Sequence, residues 1–120
     1  MSTGAVREKR PDLSIVVPVY ACASCIEPLL ERTRATVRRE GWHVEWVFVD
    51  DASPDDSWRI LKEQACKDDR IGGLRLGRNC GQHAAIYAGL EKAKGRFSVV
   101  MDGDLEDPPE EIPRLMARAR

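Results

Sequence analysis

The chain has 120 residues, 42% of them hydrophobic and 32% charged, with 19 Lys and Arg against 20 Asp and Glu and a formal net charge of −1. One core can form at this length without disulfide or metal staples, and the balanced charge lacks the basic footprint of a nucleic-acid binder. No apolar run reaches the roughly 18 residues that cross a bilayer, and Met1 to Asp12 holds no apolar stretch that could be a signal-peptide core, so a cytoplasmic location is expected.

Met1 to Asp12 is polar, carries Gly4 and Pro11, and has no period, which predicts a flexible tail before a single region from residue 13 to residue 120. Leu13 to Val19 is a β-branched run of the kind that forms a strand buried on both faces. Ile26, Leu29, Leu30, Thr33 and Val37 then fall on one helical stripe, with Pro28 expected in the first turn and Gly41 as the stop. Val44 to Val49 reads as a second strand. Asp55 to Lys67 follows as a second helix, with Trp58, Leu61 and Ala65 inward. Leu74 to Leu76 makes a short third strand, weakened by Gly72 and Gly73 before it. Gln82 to Lys94 sets Ala85, Ile86, Gly89, Leu90 and Ala93 on one stripe, whose small residues allow close approach to a sheet, and Gly95 ends it. Phe97 to Met101 is the fourth strand, and a last helical stretch runs from Pro108, interrupted or restarted at Pro113.

Alternating strands and helices with short connections predict an α/β fold, a mostly parallel sheet with helices on both faces. In such sheets ligands sit outside the carboxyl ends of the strands. Two acidic clusters stand there: Asp50 and Asp51 after the second strand, and Asp102-Gly103-Asp104 after the fourth. Gathered carboxylates repel one another unless a cation is present, and oxygen-only ligands suit Mg2+ or Mn2+ shared with a substrate phosphate. Acidic residues also cap helices and turns, a role open to Asp55 and Asp107, and a lone Asp-x-Asp is a weak pattern.

Several features in order are more specific. LSIVVPVY (Leu13 to Tyr20), VFVDDAS (Val47 to Ser53) with Asp56 after it, Arg78-Asn-Cys-Gly-Gln82 ahead of Ala85 and Gly89, and MDGDLEDPPEEIP (Met101 to Pro113) together resemble the family 2 glycosyltransferases of the GT-A fold. RNCGQHAAIYAGL and DGDLEDPPEEIP look most like the polyprenyl-phosphate sugar transferases of that family. The resemblance implies a Rossmann-like, nucleotide-sugar-binding half. Pro18, Val19 and Tyr20 would line the base, with Asp51 and Asp50 bonding the base or ribose. Arg78 and Asn79 would begin the loop closing the sugar-nucleotide pocket, with Gln82 at the start of the next helix. Asp102 would contact the ribose or the metal's water shell, Asp104 would be the catalytic residue and metal ligand, and Glu106 would add a further metal oxygen. The implied cofactor is Mg2+ or Mn2+, the donor a nucleoside-diphosphate sugar, and the acceptor a lipid phosphate at the cytoplasmic face of a membrane. Single displacement with inversion is the implied reaction.

Two departures stand out. Ala21-Cys22 replaces the Asn-Glu pair common in relatives, and family members continue well past Arg120 into the acceptor half. The fragment alone is therefore expected to bind donor without transferring sugar, and its uncovered edge to favour self-association.

Two other chemistries compete. Cys22-Ala-Ser-Cys25 opens a helix after a strand, as a thioredoxin-like dithiol does, but lacks a Trp before the first cysteine and a proline at the start of a facing strand. The four cysteines, with Cys66 and Cys80, are too scattered for a secreted scaffold and are expected to be reduced. A receiver-type signalling domain also has an acidic Mg2+ pocket. Its acidic pair follows the first strand and it needs a Lys after the last, an order this chain does not have. His83 at a helix start reads as a phosphate contact or a solvated polar residue, Trp42, Trp46 and Trp58 as core or interface aromatics, and Arg114, Arg118 and Arg120 as a solvated face or one that meets anionic lipid.

Overall fold

The computed structural model of the chain describes residues 10–103 and 108–119. Four strands, β1 (Leu13–Val19), β2 (Val44–Asp50), β3 (Ile71–Arg75) and β4 (Phe97–Val100), form one parallel sheet in the order β3-β2-β1-β4. The helices are α1 (Ala23–Glu40), α2 (Ser57–Lys67), α3 (Gln82–Lys92) and α4 (Ile112–Ala119), the last preceded by a 3-10 turn at Pro109–Glu111.

Every residue of β1 is buried, because β2 and β4 flank it and helices cover both faces. On one face Leu13, Ile15, Val17, Trp46 and Phe48 pack against Ile26, Leu29 and Leu30 of α1, Leu61 of α2, and Ile112 and Met116 of α4. On the other, Val16, Val47 and Val49 meet Ala85 of α3. The small stripe predicted on α3 does bring that helix close: a Cβ at Gly89 would stand 2.5 Å from Val16 Cγ1. Trp46, the largest fully buried side chain, donates its indole N–H to Thr33 Oγ1 at 2.9 Å, and that hydroxyl donates to Leu29 O at 2.8 Å. A buried tryptophan needs such a partner.

Pro18 sits inside the central strand, where a missing N–H would ordinarily break a ladder. It does not, because adjacent residues of a strand bond opposite neighbours. Val16 faces β4 and accepts from Met101 N–H at 3.0 Å, while Val19 faces β2 and accepts from Asp51 N–H at 2.9 Å. Pro18 shares the Val16 side, and the last β1–β4 pair is Val16 with Val100. The proline therefore lies where β4 has already left the sheet.

Several boundaries differ from expectation. Pro28 falls in the second turn of α1, not the first; it is exposed and has no N–H to offer the carbonyl one turn back. β3 extends back to Ile71 and includes Gly72 and Gly73, and a Cβ on Gly73 would lie 3.4 Å from the Trp58 ring that covers it. α3 ends at Lys92 with Ala93 extended, and Gly95 serves a different purpose: a Cβ there would lie 2.7 Å from Ser14 N. α1 stops at Gly41 as expected, its left-handed φ of 74° letting its N–H reach Val37 O at 2.9 Å. Of the expected tail, Arg10 to Asp12 are described and held: Pro11 O accepts from Arg96 N–H, and Asp12 N–H donates to His43 O.

Cys22 and Cys25 form a disulfide, contrary to the reduced state expected. Their spacing within the first helical turn sets the Cα atoms 5.4 Å apart, inside bridging range. Cys66 and Cys80 are free and exposed.

Candidate functional site

The chain builds outward from β1 to β3 and then returns through α3 to the other side of β1, so the order reverses between β1 and β4. Ligands of open α/β sheets bind in the crevice at such a reversal. An open cleft of about 440 Å³ lies there, floored by Pro18 and Val19, walled by Tyr20 to Cys22 on one side and by Gln82 and Ala85 on another, with Asp51, Asp102 and Gly103 facing in.

The two adjacent aspartates part company because successive strand residues point to opposite faces. Asp51 goes to the α3 side. Its carboxylate accepts the Cys80 N–H on Oδ1 at 2.7 Å and the Gly81 N–H on Oδ2 at 2.9 Å, beside the N-terminus of α3. It is only 4% exposed. A carboxylate has about four acceptor positions, so each oxygen keeps capacity for a donor from a ligand. Asp50 goes to the other face and does not line the cleft. It is fully buried, with Oδ2 near Arg75 Nε at 3.4 Å and the Ser53 N–H at 3.3 Å, and Oδ1 has no partner among the described residues.

Gln82 Nε2 donates to Asp102 Oδ1 at 3.0 Å, which orients that carboxylate at the cleft and leaves its second oxygen for a ligand. Arg78 and Asn79 lie on the exposed loop before α3 and outside the lining; Asn79 Nδ2 reaches back to Asp51 O at 3.3 Å. Tyr20 stands at the mouth, 53% exposed. Asp104 and Glu106 lie outside the described residues, as does Asp107. His83 is exposed; Trp46 is core, and Trp42 and Trp58 pack partly against it.

Ser53 and Asp55, which the sequence did not place at the site, hold the cleft's wall. The β1–β2 ladder continues beyond the strands in side-chain oxygens: Ala21 N–H donates to Ser53 Oγ at 2.8 Å, and Ala23 N–H to Asp55 Oδ2 at 3.2 Å. Asp55 Oδ1 meanwhile accepts the Ser57 hydroxyl at 2.6 Å and the Ser57 N–H at 3.0 Å. The Ser57 hydroxyl, more than anything else, holds the Asp55 carboxyl below its usual range, with backbone N–H groups of Ser57 and Ala23 adding to it. The helix-cap role was legible at α2. The reach across to α1 was not, because it depends on how two loops meet.

The family model described as Glycosyl transferase family 2 matches residues 14–120, and the chain belongs to that family. It is 44% identical over 108 residues to an undecaprenyl-phosphate 4-deoxy-4-formamido-L-arabinose transferase of Shewanella sediminis, covering 89% of this chain and 33% of that protein. The transferase of the same name from Proteus mirabilis is 42% identical over 113 residues, 93% of this chain and 35% of that protein. The chain thus spans about a third of the length of the curated relatives it matches. Among solved structures, a mannosyltransferase from Pyrobaculum calidifontis in complex with GDP-Man and Mn2+ superposes with a TM-score of 0.72 at 25% identity, over 86% of this chain and 30% of that one. Staphylococcus aureus TarS in complex with UDP gives a TM-score of 0.61 at 26% identity, over 78% of this chain and 27% of that one. The fold is the parallel α/β architecture of GT-A glycosyltransferases, as the resemblance implied.

Proposed function

We propose that this family 2 chain is the donor-binding part of a glycosyltransferase that moves a sugar from a nucleoside diphosphate to a polyprenyl phosphate at the cytoplasmic face of a membrane. The observation that carries the reading is the cleft at the strand-order reversal, with Asp51 and Asp102 facing into it from the ends of β2 and β4. The names of the curated relatives, which specify undecaprenyl phosphate, support the lipid-phosphate acceptor. The nucleotides bound by the two structural neighbours support a guanosine or uridine diphosphate donor. No helix among the described residues is long and apolar enough to cross a membrane.

In this reading Pro18, Val19 and Tyr20 line the base, and Asp51 accepts hydrogen bonds from base or ribose N–H and O–H groups. Arg78 and Asn79 close the pocket, and Gln82 holds Asp102 toward the ribose. Asp50 anchors Arg75 behind the cleft. The carboxylates of Asp104 and Glu106 would hold a hard divalent ion such as Mg2+ or Mn2+, with Asp102 at the ribose or at the ion's water shell. No cluster of three metal-binding groups occurs among the described residues, two of these three lying outside them. When bound, such an ion supplies charge stabilisation to the departing diphosphate. A lipid phosphate is already anionic at neutral pH, so single displacement with inversion needs no strong base from the chain. The α3-side face of β4, where Val100 is 37% exposed, supports self-association of the chain taken alone.

Calorimetry with UDP, GDP and ADP, in Mn2+ or in EDTA, tests the reading. Uridine or guanosine diphosphate should bind with metal only, and Asp104→Asn should weaken that binding at least tenfold, about 1.4 kcal/mol. Equal binding of ADP in EDTA, or an unimpaired Asp104→Asn variant, overturns it.

A further inference from the structure

Beyond the last paired residues of β1 and β2, the two loops remain in step. Asp51 N–H donates to Val19 O, and beyond it the donors change sides, Ala21 and Ala23 N–H donating to Ser53 Oγ and Asp55 Oδ2, at alternate residues of both segments. The backbone alone could not continue this pairing, because Ala21 and Ala52 take positive φ values of 52° and 57°, which turn both loops away from strand geometry. Such angles are costly for a residue with a Cβ and persist only where surrounding bonds fix them.

We propose that Asp55 is a positioning residue for the donor cleft: its two carboxylate oxygens tie the first turns of α1 and α2 together and so fix the Tyr20–Cys22 wall. The proposal rests on the donor reading above. At neither helix does the residue just before the first turn, Cys22 or Asp56, make a side-chain capping bond. One residue meets both needs, Oδ1 serving Ser57 and Oδ2 serving Ala23. Two acceptor oxygens are required. Asparagine offers one, so whichever way its amide turns, one helix loses its acceptor. The wall that depends on this bond carries Tyr20, Ala21 and Cys22, three of the residues lining the cleft. Asp55 itself does not line it, so its effect on binding passes through the wall.

The test compares Asp55→Asn with Thr33→Val, which removes the buried acceptor of the Trp46 indole away from the cleft. Three quantities are read: melting temperature, amide hydrogen exchange at Ala21 to Ser24 without ligand, and affinity for UDP and GDP with Mn2+. Asp55→Asn should speed exchange at Ala23 and its neighbours at least tenfold and weaken nucleotide binding three- to tenfold, with a small drop in melting temperature. Thr33→Val should lower the melting temperature at least as much and leave affinity within twofold. Should Asp55→Asn fail to fold, Ser53→Ala removes the adjacent rung and should show the same pattern centred on Ala21. Unchanged exchange and affinity in these variants, or losses of affinity that merely follow melting temperature across all of them, overturn the proposal. A wild-type chain that binds neither nucleotide overturns the donor reading, and the link to binding with it, while the exchange rates still decide whether Asp55 holds the wall.

Discussion

The two ends of the sheet are built from the same strands and use their polar groups in opposite ways. At the amino end the groups close on one another. Ser14 Oγ donates to Glu45 Oε2 at 2.6 Å and accepts from Gly95 N–H at 2.8 Å, Glu45 Oε2 also accepts from Lys94 N–H at 2.6 Å, and Asp12 Oδ2 accepts from His43 N–H at 2.9 Å. At the carboxyl end the backbone takes positive φ at Ala21, Ala52 and Gly81, Asp51 and Asp102 face open space, and Asp50 keeps an oxygen without a described partner. Satisfied polar groups stabilise; groups held with capacity to spare bind. The amino end closes its polar groups on one another, and the carboxyl end holds the groups on which the proposed function rests.

That contrast can be broken by substitutions that act on one end alone. The largest effect is expected from Gly95→Ala, whose new Cβ would stand 2.7 Å from Ser14 N and 2.8 Å from Leu13 C, backbone atoms of the central strand that cannot move aside. Denaturant unfolding should show a loss of about 3 kcal/mol or more, with nucleotide affinity of the folded fraction unchanged. A parallel loss of affinity would mean that the two ends are coupled.

A smaller effect belongs to Asp68, just before β3 at the same amino end. Its carboxyl is pulled down from 3.8 to about 2, first by the Arg70 side chain, which outweighs the burial that pushes it up, and further by Arg34. Because the folded value is depressed, the stabilisation is present above the unfolded value near 3.8 and is lost as pH falls from there through about 2. With Arg70 half-exposed, roughly 1–2 kcal/mol is at stake. Asp68→Asn should lower stability by that amount at pH 7 and flatten the acid limb of the unfolding curve. An acid limb identical to wild type would remove Asp68 from the account.

The smallest effect is expected at the carboxyl end itself. The Cys22–Cys25 bridge closes a single helical turn that the Cys25 N–H to Cys22 O bond of 3.0 Å already holds. Replacing both cysteines by serine should cost about 1 kcal/mol or less, short loops gaining least from a bridge, and should leave nucleotide affinity within twofold. A larger loss of affinity would make the bridge part of the wall's support.

The succession of strands and helices and their parallel pairing were legible because β1 is a β-branched run and each helix carries an apolar stripe, whereas the order of the strands across the sheet was not. Helix and strand ends were legible only in part. Gly95 reads as a helix stop in sequence and is in fact a point of backbone contact with β1, a constraint set 81 residues away. Of the candidate site, Asp51 and Asp102 converge on the cleft as their places after β2 and β4 predicted, and Pro18 to Tyr20 and Gln82, which the family resemblance implied, line it as well. Asp50 could not be separated from Asp51 by spacing alone, since which of two neighbours faces the cleft depends on the pleat. The cysteine bridge was missed because compartment arguments say nothing about two thiols brought together by a helical turn.

Strand order also fixes the sequence of events as the chain is made. β1 is complete at Val19, but its second neighbour does not begin until Phe97. At 5–20 residues per second the wait is on the order of ten seconds. Throughout that interval one edge of β1, whose residues are all buried in the finished sheet, can pair with whatever edge it meets. Pro18, which floors the cleft in the finished fold, has no N–H on that same edge and so shortens the run of donors that a mispaired strand could use.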